Sequence, residues 1–235
     1  MRLDKFLSNL KYGSRNDIKK MCKDNLIKVN GDVVKKTDIN IDPNLDSIEV
    51  DNQKVFYKEN ITLMINKPKG YICSAKDERG RKTIFELINV PARVFSVGRL
   101  DYNSEGLLLL TNDGDFANKI AHPSNHINKE YIVTIEGEVL ESELAVLRAG
   151  VVENGKRMPS AKVKFIEFKD NVTRLSVIID EGQNRQIRRM FEGIGRTIIL
   201  LKRVSIGGLK LGGLTRGKLK ELTEKELDIL AGELN

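Results

Sequence analysis

Apolar positions change their spacing several times along the chain, and each change marks an element. Leu3, Phe6, Leu7 and Leu10 fall at i, i+3, i+4 and i+7, which predicts a short helix ended by Gly13. Ser14, with Asp17 three residues on, is a capping-box-like start for a second helix whose buried stripe is Ile18, Met21 and Cys22. Residues 27–34 predict two strands joined by a tight Asn30-Gly31 turn, and residues 47–50 a short closing strand. Residues 51–60 are mostly polar and read as a linker with an edge strand. A buried strand opens over 61–65 and ends at Asn66-Lys67-Pro68-Lys69-Gly70. Further on, 131–136 alternates as a strand, 141–149 has helical spacing, and 161–168 and 172–180 read as antiparallel strands. Residues 184–193 form a helix with Ile187, Met190, Phe191 and Ile194 on its apolar side. There is no regular βαβ beat and no internal repeat. The pattern predicts an α+β chain: a small helix-helix-hairpin domain over 1–58, then a domain over 59–235 with a mainly antiparallel mixed sheet flanked by helices.

Charge adds a partner to this picture. The 235 residues carry a net charge of +7, with a pI of about 9.3. Such a surplus points to an anionic partner, most often nucleic acid. On the second helix Arg15, Lys19 and Lys23 recur at every fourth position, away from the apolar stripe, as a face that can lie along phosphates. Cys22 and Cys73 are far apart and lack CxxC spacing, which argues against a zinc site or disulfide scaffold and fits a reduced cytosol. The opening segment is amphipathic rather than a signal peptide, and no apolar run is long enough to span a bilayer, so a cytoplasmic protein is expected. His122 and His126 lack a nearby Cys or acid, which disfavours a Ser-His-Asp triad or a zinc site. The Asn112-Asp113-Gly114-Asp115 fragment lacks the other ligands of a calcium loop. The glycines of 207–213 lack the GK[ST] ending of a nucleotide loop. Neither metal nor nucleotide cofactor is expected.

One segment carries candidate chemistry. Asp101 lies in Gly98-Arg99-Leu100-Asp101, just before the buried run Leu107-Leu108-Leu109-Leu110. A carboxylate there is costly unless a cation meets it. Arg185, Arg188 and Arg189 share one face of the late helix and repel one another unless an anion or carboxylate is near. A guanidinium facing Asp101 would keep it ionised and aim it. The earlier Arg2-Leu3-Asp4 repeats the same three letters, but there Asp4 sits in the first turn of a helix and favours its dipole. Glu105, four residues after Asp101, invites a glycosidase reading, yet neighbours on one segment seldom face each other across a scissile bond. Tyr131 is either a half-buried sheet tyrosine or a ring that stacks on a nucleobase.

Taken together, these segments resemble the pseudouridine synthases, in the branch that acts on small- and large-subunit ribosomal RNA, over nearly the whole chain. Residues 2–50, with Ser14-Arg15 and Val29-Asn30-Gly31, are similar to the S-four-type RNA-binding module. Asn66-Lys67-Pro68-Lys69-Gly70 is similar to the family's first motif. Gly98-Arg99-Leu100-Asp101 with Gly106-Leu107-Leu108 is similar to the motif of the catalytic aspartate. Lys129-Glu130-Tyr131 is similar to the motif of the active-site tyrosine, and residues 181–190 to the third motif. The resemblance implies catalytic roles for Asp101, Tyr131 and Arg188, the last as the aspartate's partner, with Arg185 as second choice. Gln183 stands where relatives often carry a basic residue.

The activity so implied is uridine isomerisation in ribosomal RNA or a pre-ribosomal subunit. The N1–C1′ bond breaks, the uracil rotates and rejoins through C5, and no redox cofactor or metal is required. The aspartate would act as a nucleophile at C1′ or at the base, or as a base at the 2′ position. Were its pair with Arg188 buried, loss of the arginine would cost about 3–5 kcal/mol. The expected RNA contacts are Arg2, Arg15, Lys19, Lys23, Lys67, Lys69, Arg99, Arg185, Gln186 and Arg189, which offset the cost of unstacking the target base. Residues 112–119 and His122-Pro123-Ser124 lean toward the large-subunit enzymes, and a monomer is the simplest expectation. The rival is a non-catalytic RNA-binding or ribosome-assembly factor, which has no use for a pair between Asp101 and Arg188.

Overall fold

The computed structural model describes residues 1–43, 45–55, 60–75, 77–90, 92–153 and 155–233. They form two compact units, one of Met1–Ile61 with Asn89–Phe95 and one of Thr62–Ile88 with Ser96–Asn235. The boundary expected between residues 58 and 59, in the polar linker, lies outside the described residues.

In the first unit α1 (Leu3–Asn9) and α2 (Arg15–Lys23) pack their apolar stripes together. The capping box is present: Asp17 N donates to Ser14 Oγ (3.2 Å) and Ser14 N to Asp17 Oδ2 (2.9 Å). Strands β1 (Ile27–Val29), β2 (Asp32–Val33), β3 (Ile48–Val50) and β4 (Gln53–Lys54) make an antiparallel sheet in the order β2-β1-β3-β4. Asn30 and Gly31 both take positive φ, 53° and 89°, as a two-residue turn between twisted strands requires. Segment 89–95 joins this unit by hydrogen bonds that no local pattern announces: Arg93 N donates to Asn9 O (3.3 Å) and Lys11 Nζ to Val90 O (2.9 Å).

The second unit contains β5 (Thr62–Lys67), all but the first residue of β6 (Phe95–Val97), β7 (Glu105–Thr111), α3 (Gly114–Ala121), β8 (Lys129–Glu136), α4 (Glu141–Ala149), β9 (Val152–Glu153), β10 (Lys156–Arg157), β11 (Lys162–Lys169), β12 (Val172–Ile179), α5 (Gln186–Glu192), β13 (Ile198–Ile206), β14 (Leu209–Lys210), β15 (Leu219–Glu221) and α6 (Glu224–Gly232). The main sheet runs β11-β12-β8-β13-β7-β5-β15. Its pairings are antiparallel except for the parallel contact of β13 with β7. The leucine run is β7, buried along its whole length because neighbours cover both faces of a central strand. Leu107 and Leu109 pack with Met64, Ile120, Ile206 and Leu230 in one core cluster. Strand β13 approaches so closely at Gly106 (φ +106°) that a Cβ there would stand 2.1 Å from the Arg203 carbonyl oxygen. The sheet therefore requires glycine at the residue after Glu105.

Candidate active site

Asp101 sits in the turn that feeds β7, and a lysine fixes that turn from beneath. Lys67, the last residue of β5, is 0% exposed. Its Nζ donates to Ser104 O (2.9 Å), Asp101 O (3.0 Å) and Pro68 O (3.1 Å), which uses all three ammonium donors. Burial pulls its pKa down to about 8, against opposing fields from nearby groups that include Asp101 and Glu105. Lys67 was expected to hold RNA phosphate. That expectation is corrected: its ammonium is enclosed and spent on backbone. Leu100 is tied from another side, its carbonyl accepting from Cys73 Sγ at 3.3 Å.

The guanidinium that meets Asp101 comes from α5. Arg188 Nε lies 3.9 Å from Asp101 Oδ2, at the outer edge of an ion pair, with the two side chains 11% and 35% exposed. Arg188 Nη2 donates to Asn103 O (2.9 Å) and Ser104 Oγ (3.3 Å), so the arginine grips the same turn. Its Nε is buried with no hydrogen-bond partner. Burial and the field of Arg185 lower its pKa, but a guanidinium stays charged at any working pH.

The expected repulsion within the arginine cluster is resolved by one carboxylate per arginine. Arg185 pairs with Glu192 (3.2 Å) and Arg189 with Glu153 (2.7 Å). Arg185, at the N-cap of α5, adopts the left-handed conformation with φ 49°. Gln186, another expected RNA contact, is buried, and its Oε1 accepts from Gln183 N at 3.1 Å. Glu105 is also buried, paired with Arg216 at 3.1 Å, and does not face Asp101 across a cleft as a glycosidase would need.

A cavity of about 150 Å³ opens beside the Asp101 turn, lined by Asp101, Lys129, Tyr131, Arg185, Leu201 and Arg203 among others. Asp101 is the single carboxylate among the described residues that line it, against the cations Arg99, Lys129, Arg185 and Arg203. Tyr131 projects from β8 and is buried. Lys129 donates to Ile127 O (2.8 Å) and Asp180 O (3.1 Å), and burial with the field of Arg203 brings its pKa down to about 8. Arg203 is the residue that sequence reasoning missed. It is 3% exposed, its Nε donates to Leu107 O (2.7 Å), and its Nη1 to Tyr131 Oη (3.4 Å). A lone arginine after Lys202 in an alternating strand gives no local sign of facing inward.

The remaining expected RNA contacts lie at the surface. Arg15, Lys19 and Lys23 are exposed on one face of α2. Arg2 holds the buried Asp4 through two hydrogen bonds (3.1 and 2.7 Å), so Asp4 is an ion-paired anchor as well as a first-turn acid. Lys69 is engaged with Ile199 O at 3.0 Å, and Arg99 is exposed at the cleft.

Comparison with known proteins agrees with this architecture. Residues 61–193 match the family model described as RNA pseudouridylate synthase, and residues 1–46 match the S4 domain. The chain is 40% identical to the ribosomal large subunit pseudouridine synthase B of Bacillus subtilis, over 96% of this chain and 93% of that protein. It is 38% identical to an uncharacterized RNA pseudouridine synthase of Aquifex aeolicus, over 97% of this chain and 92% of that one. A crystal structure of a pseudouridylate synthase, 32% identical, superimposes with a TM-score of 0.67 over 98% of this chain and 99% of the other.

Proposed function

Since the chain belongs to the RNA pseudouridylate synthase family and carries an S4 domain, we propose that it converts a specific uridine of large-subunit ribosomal RNA to pseudouridine, with Asp101 as the catalytic carboxylate. The large-subunit assignment leans on the relative from Bacillus subtilis. One observation carries the assignment of Asp101: it is the single described carboxylate lining the cleft, and a guanidinium stands 3.9 Å from it.

In this reading the uridine leaves its stack and enters the cleft, at a cost of about a few kcal/mol. Asp101, aimed by Arg188, acts at the sugar or the base while the N1–C1′ bond parts. The electron pair of that bond goes to the uracil ring, which turns and rejoins C1′ through C5; the C5 proton then leaves and N1 takes up a proton, so that product and substrate are isomers. Tyr131 lies against the base. Arg99 and Arg185 at the cleft meet flanking phosphates, and the basic face of α2 adds a second contact whose tethering raises effective concentration. No helix among the described residues is long and apolar enough to cross a membrane. A cytoplasmic monomer acting on pre-ribosomal particles fits this reading.

The test is pseudouridine mapping of ribosomal RNA from cells with and without the protein, joined to tritium release from uracil C5 in vitro. Asp101→Asn is expected to bind RNA normally and release no tritium. Normal release by that variant removes Asp101 from the chemistry. Unchanged maps with intact RNA binding support the assembly-factor reading instead.

A further inference from the structure

Arg203 is a cation placed where a sheet would ordinarily keep an apolar residue. Leu201, two positions earlier on β13, is buried and lines the same cleft. Placing a guanidinium there requires desolvating it. Its hydrogen bonds go to a carbonyl on β7 and a phenol on β8. Nη2 is buried with no hydrogen-bond partner, a donor that the sheet itself does not use.

Register explains the position. Arg203 is directly opposite Tyr131 in the antiparallel pair with β8 and opposite Gly106 in the parallel pair with β7. A register shift follows between Arg203 and Ser205; irregularities of this kind re-aim side chains beside active sites. The guanidinium carbon stands 6.0 Å from the centre of the Tyr131 ring. One side chain therefore references the tyrosine to the strand whose leading turn holds Asp101.

We propose that Arg203 is the positioning residue for Tyr131: anchored on the Leu107 carbonyl, it donates to the phenol oxygen and turns the hydroxyl proton toward the cleft. A phenol oxygen that accepts from a cation has its own proton directed away from that cation. The inference rests on the reading in which Tyr131 works on the target uracil.

The test is a double-mutant cycle in single-turnover kinetics, with Tyr131→Phe, Arg203→Met, Arg203→Lys and the two doubles, each checked for fold by circular dichroism. Arg203→Met is expected to slow the single-turnover rate by about ten- to a hundredfold while RNA affinity stays within about twofold. In the Tyr131→Phe background the same change is expected to slow it by less than about twofold. Arg203→Lys, which keeps the charge and loses the fork, falls between. Equal losses in the two backgrounds, or a wild-type rate for Arg203→Met, overturn the proposal. A wild-type rate for Tyr131→Phe instead overturns the parent role of the tyrosine. If Arg203→Met does not fold, the Arg203→Lys cycle decides. If Tyr131→Phe is too slow to be slowed further, the ¹³C resonance of the Tyr131 Cζ decides: it must shift in Arg203→Lys, and an unmoved line refutes the contact.

Discussion

Replacing Arg188 with methionine separates what the arginine does for the fold from what it does for the chemistry. The change removes hydrogen bonds to Asn103 O and Ser104 Oγ and a 3.9 Å attraction to Asp101. At that distance the attraction is about 4 kcal/mol for an effective permittivity near 20 and about 1 kcal/mol in water. Asp101 is 35% exposed, which puts the pair toward the weaker end. The arginine also leaves Nε buried and unbonded, so its removal relieves part of its own desolvation. The expected loss is about 1–3 kcal/mol, below the about 3–5 kcal/mol of a wholly buried pair. For a chain of this size that lowers Tm by about 2–12 °C. Tritium release should fall by about a hundredfold or more, because the turn that aims Asp101 loses its grip. Arg188→Lys should recover stability better than turnover, since an ammonium lacks the fork that spans Asn103 and Ser104. Thermal unfolding and tritium release on the same preparations check both numbers. Full turnover in a folded Arg188→Met variant would refute the aiming role. Outright unfolding would refute the weak-pair energetics.

Other parts of the molecule give equally direct checks. Changing Arg15, Lys19 and Lys23 together to alanine should weaken RNA binding and reduce the salt slope of log K by about 2–3, read by filter binding at several salt concentrations; an unchanged slope removes α2 from the interface. Lys67 has a folded pKa of about 8 against an ordinary 10.5, so between those values the unfolded chain holds the extra proton and stability attributable to Lys67 rises with pH. The stability gap between wild type and Lys67→Met in urea unfolding should move in the wild type's favour by up to about 3 kcal/mol from pH 8 to 10.5. A constant gap would mean that the three carbonyls keep the ammonium charged. Gly106→Ala should cost more than about 3 kcal/mol and give little folded protein, because neither its φ nor the Arg203 carbonyl leaves room for a Cβ; a well-folded variant would show that β13 can move away.

Much of the fold can be read where local chemistry suffices. The Ser14–Asp17 box, the Asn30-Gly31 turn and the α5 stripe each need only a few neighbours, and each forms near its expected place. The leucine run 107–110 announces burial, but an apolar run has no period that separates strand from helix, so β7 emerges only from its sheet neighbours. Asp101 and Arg188 are readable as partners because an acid before a buried strand and a crowded arginine face each need a counter-charge. Lys67 misleads because a lysine is ordinarily solvated, and only a turn more than 30 residues later in the chain supplies the carbonyls that enclose it. Arg203 depends on register with Tyr131, a pairing across 72 residues that no window of sequence displays.

The parallel seam between β13 and β7 has a consequence for biosynthesis. Strand β13 slots between two strands that leave the ribosome well before it, so the sheet stays split until residue 206 is free. Roughly a hundred residues separate the Asp101 turn from Arg203, or about 5–20 s of translation. Throughout that interval the emerging polypeptide carries the Asp101 turn without the strand that closes the sheet beside it. On the proposed role of Asp101, activity toward nearby transcripts begins only after strand β13 has docked between β8 and β7.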